Sequence, residues 1–165
     1  GTGVLVLPDP NVVDKLGCKD VLYKIADLTC GLDDVHVYKN KDELKRGLQS
    51  TVAHQPRVLK QNRGSAGDGT WLLRLKTEKY GPTFGSKVCH DHEVLILTDM
   101  LDDHSEEHTI EEFIEFCENG HSEEAGTWKT RGLGCYFDEE LGTNPCLIDQ
   151  RFCPRVEQGE YRCNM

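Results

Sequence analysis

In VLKQNRGSAGDGTWLLRL, residues 58–75, Lys60 ends an apolar run, and Gly64, Gly67 and Gly69 follow it. A lysine beside a turn of small residues suits an anion. The ammonium supplies charge, and glycine leaves backbone amides open to a ligand. Asn62, Arg63 and Ser65 add side-chain donors to the same turn. The two best-known nucleotide loops do not fit. A P-loop needs Lys and Ser/Thr directly after its last glycine, and a dinucleotide fingerprint opens a helix, whereas TWLLRL reads as a strand. The spacing predicts a β-hairpin with a glycine turn, and by spacing alone an ordinary hairpin fits as well as an anion site.

A second pattern, HSEEH at residues 104–108, matches the His-x-x-Glu-His signature of zinc hydrolases. That chemistry needs a helix to bring both imidazoles to one face. Here the helix cap falls one residue later, at Thr109, so His104 and His108 are expected in a loop and the match is read as chance. Cys89-His90-Asp91-His92 lacks a distant partner pair at zinc-finger spacing and is expected to be a solvated loop. The acidic run from Asp99 to Glu112 reads as solvated surface with favourable charge at a helix N-terminus. No metal site is expected. There is no Gly-x-Ser-x-Gly elbow, and no cysteine sits in a catalytic signature.

Alternating strand and helix periods must position these groups. GVLVL, residues 3–7, predicts a buried strand, and Asn11 caps a short turn ending near Gly17. Val21, Leu22, Ile25 and Leu28 recur at helical spacing, predicting a helix over 18–28 that stops at Gly31. VHVY, residues 35–38, alternates as a strand. Asn40 and Glu43 form a capping pattern for a helix through about Leu48, and Thr109 with Glu112 forms another for a helix ending at Asn119-Gly120. Residues 57–62, 70–76 and 93–98 read as strands, and 121–144 as a long loop or weak helix. The segment from Cys146 onward reads as strand, Pro-marked turn and second strand. The class these periods indicate is α/β or α+β.

The chain has 165 residues, enough to bury a real core, and a formal charge of −10. That surplus of acid argues against nucleic acid, which requires clustered Lys and Arg. No apolar run approaches the roughly 20 residues of a membrane span, and the first residues lack a signal peptide's charged and apolar regions. Eight cysteines occur without a CxxC pair, several at core positions such as Cys117. This density is below that of disulfide scaffolds, so reduced thiols and a cytoplasmic location are expected.

Three segments in order, GCKDVLYKIADL (17–28), RVLKQNRGSAGDGTWLLRL (57–75) and LIDQRFCPRVEQGEYRC (147–163), resemble the ATP-grasp superfamily, above all glutathione-synthetase-like members and uncharacterised ATP-grasp-like bacterial proteins. The resemblance covers most of the chain, with 77–144 matching loosely. It implies an α+β fold of antiparallel sheets with helices packed on one face, in which two sheets grip ATP under a glycine flap. Residues 1–48 would be the remnant of the segment preceding the nucleotide grip, and 49–165 the gripping region, incomplete at its C-terminus. Lys19 and Lys60 would neutralise phosphate oxygens, and the amides from Ser65 to Gly69, in the loop Gly64–Gly69, would close over the terminal phosphates. The hinge Gln150, Arg151, Phe152 and Cys153 would read the adenine edge, with Phe152 beside the base. Glu160 would suit the ribose or the substrate channel, and Arg162 would face the transferring phosphoryl group as the catalytic residue. The implied activity joins a small carboxylate to an amine or thiol through an acyl phosphate, with magnesium accompanying ATP. The magnesium ligands of the superfamily are expected beyond the segment matching 147–163, where this sequence stops, so a non-catalytic nucleotide-binding or interaction module is the alternative.

Overall fold

The computed structural model describes residues 9, 11–12, 17–121, 126–139 and 144–159. The strand expected at 3–7, most of the turn after Asn11, and everything after Gly159, Glu160 and Arg162 included, lie outside the described residues. Strands β1 (Val35–Tyr38), β2 (Arg57–Gln61), β3 (Thr70–Leu75), β4 (Val94–Asp99), β5 (Ser105–Thr109) and β6 (Leu147–Arg151) form one sheet. Its order is β1-β6-β2-β3-β4-β5, and every pair is antiparallel. The class is therefore the expected mixture of helix and antiparallel strand. One sheet stands among the described residues where two were expected to face each other.

Helices α2 (Lys41–Thr51) and α3 (Ile110–Asn119) cover one face of this sheet. Both start where side-chain caps dictate. The Asn40 carboxamide accepts the Glu43 amide, and Thr109 with Glu112 makes a complete capping box. The helices bury Leu44, Leu48, Phe113, Phe116 and Cys117 against Leu59, Trp71, Leu73, Leu95, Leu97 and Leu147. Those strand residues alternate, as a half-covered sheet requires. β1 and the first turns of α2 come from the segment before residue 49, yet they share this sheet and core with the rest of the chain.

Helix α1 spans only Val21–Lys24, shorter than the helix expected over 18–28. None of its residues is fully buried, Leu22 packs only partly against Val35, Cys146 and Ile148, and Leu28 lies exposed, so little apolar packing supports further turns. Of the loop expected at His104–His108, His104 alone stays outside a strand; Ser105 to His108 belong to strand β5. Pairing with β4 supplies backbone partners that local propensity could not reveal. The Pro-marked turn is a 3-10 helix, Pro154–Gln158, and the described part of 121–144 is loop. No helix among the described residues is long and apolar enough to cross a membrane, and no disulfide forms among their cysteines.

Candidate functional site

The sheet face opposite α2 and α3 carries a cavity of about 610 Å³. Its floor follows from the register. Val58 opposes Gln150 and Leu72, and Lys60 opposes Thr70 and Ile148, so these side chains share one face. The walls come from Lys19 and Leu32 on one side, Met100 and Gly67 on another, and Arg151, Phe152, Cys153 and Val156 beyond the end of β6. The cavity thus has an apolar part and a cationic part.

Two lysines from distant segments meet here. Lys60 Nζ donates to the Gln150 side-chain oxygen at 2.9 Å, and Lys19 Nζ donates to the Gly64 carbonyl at 2.9 Å. Burial lowers the Lys19 pKa, and the Asp68 carboxylate works against that. A partly desolvated ammonium interacts more strongly with an anion than one in bulk water does. On the opposite wall, the Arg74 guanidinium lies over the Phe152 ring, 5.4 Å from its centre, and steadies the aromatic wall.

The glycine turn is shaped by Gln61. A Cβ on Gly64 or Gly69 would run into the Gln61 side chain, and both glycines have positive φ (143° and 58°). Gln61 Nε2 also donates to Asp68 Oδ2 at 2.8 Å. A Cβ on Gly67 (φ 90°) would overlap the Met100 carbonyl, so the turn packs closely on the end of β4.

Lys19, Lys60, Gly67, Gln150, Arg151, Phe152 and Cys153 all line this one cavity. Gly64, Ser65 and Gly69 belong to the same turn but do not line the cavity. Three details differ from expectation. The Asp68 amide is taken by the Ser65 carbonyl at 3.0 Å, so it is not open to a ligand. The Phe152 amide is taken by the Pro56 carbonyl at 2.9 Å. Asn62 is not an anion donor: it is buried, its Oδ1 accepts the Asp20 amide at 2.9 Å and its Nδ2 donates to the Asn144 carbonyl at 2.8 Å. The lining residues Val58, Thr70, Leu72, Leu32, Met100 and Val156 were not anticipated. The period of two along β2 and β3 would have given the first three.

The acidic run is less solvated than expected. Asp99 and Glu106 are 2% and 6% exposed. His104, just before β5, and Glu106 and His108 on it follow the strand period, and Glu106 lies between the two imidazoles, 3.0 and 3.1 Å from their Nε2 atoms. Burial raises the Glu106 pKa, but bonds from the Lys129 amide and both histidines outweigh it and hold the carboxyl below its usual range. Asp99, Asp102 and His104 could hold a cation, yet Asp99 already accepts from Thr130 and the Leu101 amide, and Asp102 pairs with His104. Cys89 is buried rather than solvated, and Asp91 binds Lys45 and Gln49.

Compared with known proteins, the chain matches no family model, no curated protein and no solved structure.

Proposed function

We propose that this chain binds an adenine nucleotide, as the ATP-binding core of a ligase-like protein that joins a carboxylate to an amine or thiol through an acyl phosphate. The observation that carries the reading is the meeting of Lys19 and Lys60 in one cavity that also has an apolar wall. A nucleotide has both requirements, a polyanion and a flat apolar base. Lys19 and Lys60 hold the phosphates as point charges, and the glycine turn stands over them. The base lies against Val58, Leu72 and Phe152, with Gln150 and the backbone near Cys153 as polar partners. ATP, when bound, supplies the phosphoryl group that activates the carboxylate.

The lining includes no carboxylate among the described residues. The residues present therefore do not fit a magnesium ion at this cavity, and no step is assigned to one. That observation favours a second reading for this chain, nucleotide binding without turnover.

Cys153 gives a direct test, because its thiol is exposed and lines the cavity. Alkylation of Cys153, followed by peptide mass spectrometry, should slow in the presence of ATP, while Cys30, exposed and not part of the cavity lining, keeps its rate. Unchanged Cys153 labelling at millimolar ATP overturns the reading.

A further inference from the structure

Besides Gln61, which bonds Asp68 within it, the glycine turn is fastened from outside by Lys19. Its Nζ donates to the Gly64 carbonyl at 2.9 Å. Inside the turn, the Asp68 amide bonds to the Ser65 carbonyl and the Thr70 amide to the Gly67 carbonyl, both at 3.0 Å. The same ammonium lines the cavity beside Lys60. A neutral carbonyl is a weaker partner for an ammonium than a phosphate oxygen, because the second bond is charged at both ends.

The backbone at Lys19 cannot follow such an exchange of partners. The Lys19 amide donates to the Asn62 carbonyl at 2.9 Å, and the Asn62 amide donates to the Cys146 carbonyl at 3.0 Å. Asn62 also holds Asp20 and Asn144 through its side chain. One buried asparagine therefore pins the start of this segment to the end of β2 and to the approach to β6. Only the flexible stem of Lys19 remains to move.

We propose that Lys19 is the latch of the glycine turn: its ammonium holds the Gly64 carbonyl and is the same group that an anion in the cavity takes, so anion capture releases the turn. Asn62 is the positioning residue that sets where the latch stands. The idea rests on the cavity accepting the phosphates proposed above, and its consequences separate it from that reading. Lys60 bonds Gln150 on the floor of the cavity, whereas Lys19 bonds the turn itself.

Hydrogen exchange at the Asp68 and Thr70 amides, with binding of inorganic triphosphate measured by calorimetry, tests the latch. In Lys19→Met these amides should exchange about five-fold faster or more, the factor carried by one lost hydrogen bond. Amides in β3 and β4 should be unchanged, and Lys19→Arg should restore the slow rate. Lys60→Met should weaken triphosphate while leaving the turn as slow as in the parent. Triphosphate should speed the turn in the parent protein and have no further effect in Lys19→Met. Wild-type exchange in Lys19→Met, or a turn that bound triphosphate slows in the parent, overturns the latch. A fast turn in Lys19→Met, together with no binding of triphosphate or ATP by the parent, supports the hold on Gly64 and sinks the nucleotide reading instead.

Discussion

Arg57 Nε and Asp149 Oδ1 lie 2.6 Å apart across the β2–β6 ladder, and both side chains are fully buried. Every oxygen of that carboxylate is used, because Tyr38 and Thr51 donate to Oδ2 at 2.7 and 2.8 Å. The other end of the guanidinium grips Asp34 with two bonds, at 2.6 and 2.9 Å. Burial pushes the Tyr38 hydroxyl well above its usual range, reinforced by the neighbouring Asp149 charge. The network ties β1, α2, β2 and β6 together beneath the cavity.

Breaking this pair from one side leaves a buried charge without its counterpart. Asp149→Asn or Arg57→Met should cost about 3–5 kcal/mol, read as a lower urea midpoint with little change in slope. The double variant Arg57→Met, Asp149→Leu should lose less than the two single losses added together. Strict additivity would show that the two groups do not act as a pair.

Asp34 gives the fold an acid-sensitive component. Burial raises its pKa, but the Arg57 and His36 hydrogen bonds outweigh that and hold the carboxyl below its usual range. Its contribution is therefore fully present above the unfolded value, about 3.9, and is lost as pH falls through the lower folded value. Asp34→Asn should flatten the acid limb of the stability profile measured by chemical denaturation. An unchanged acid limb would assign that limb to other carboxylates.

At the cavity, Lys60→Met removes a charge-assisted contact from a partly buried site. Binding of ATP should weaken about ten-fold or more, corresponding to roughly 1.5–3 kcal/mol. Equal affinity of variant and parent in calorimetry would remove Lys60 from phosphate binding.

The thiols should separate by burial. Cys30 and Cys153 are exposed and should alkylate first. Burial pushes the Cys117 thiol well above its usual value, burial and the Glu93 carboxylate push Cys89 to about 12, and burial and Asp20 push Cys146 to about 11. Labelling at mildly alkaline pH should leave these three protected until the protein is unfolded, when thiol titration should find close to eight groups per chain. Rapid native labelling of Cys117 would contradict the packing of α3.

Turnover is expected to be absent from this chain alone. Phosphoryl transfer depends on neutralising charge that magnesium bridges, and no carboxylate lines the cavity among the described residues. A coupled ADP-release assay with magnesium and a panel of small carboxylates checks this. Turnover on the order of 1 per second would reveal a metal site elsewhere.

Local signals carried most of the element placement. The caps at Asn40 and Thr109 announced their helices, alternation announced β1, and apolar stretches beside and beyond the glycine turn announced β2 to β4. The turn beside the cavity was legible because lysine and glycine mark a turn whatever surrounds them, whereas Lys19 and residues 150–153 were linked to it only through the resemblance. What escaped was set by distant pairing. β5 is polar and becomes a strand only through its ladder with β4. Asp99 and Glu106 look solvated in sequence, and they are buried by Thr130 and Lys129 from a loop far along the chain. Asn62 looked like a ligand donor because its structural partners, Asp20 and Asn144, are remote from it in sequence.

The last strand of the described sheet, β6, is also an inner one, inserted between β1 and β2. During synthesis from the N-terminus, β1 and β2 leave the ribosome long before their shared partner exists. Each then exposes a bare edge, and Arg57 waits for a counter-charge that has not been made. Completion of the sheet is thus postponed until the chain has grown to Arg151, and the nascent polypeptide carries unpaired edges throughout that interval, when chaperones have most to protect. A stop codon shortly before Leu147 should consequently yield an aggregation-prone product rather than a smaller folded one.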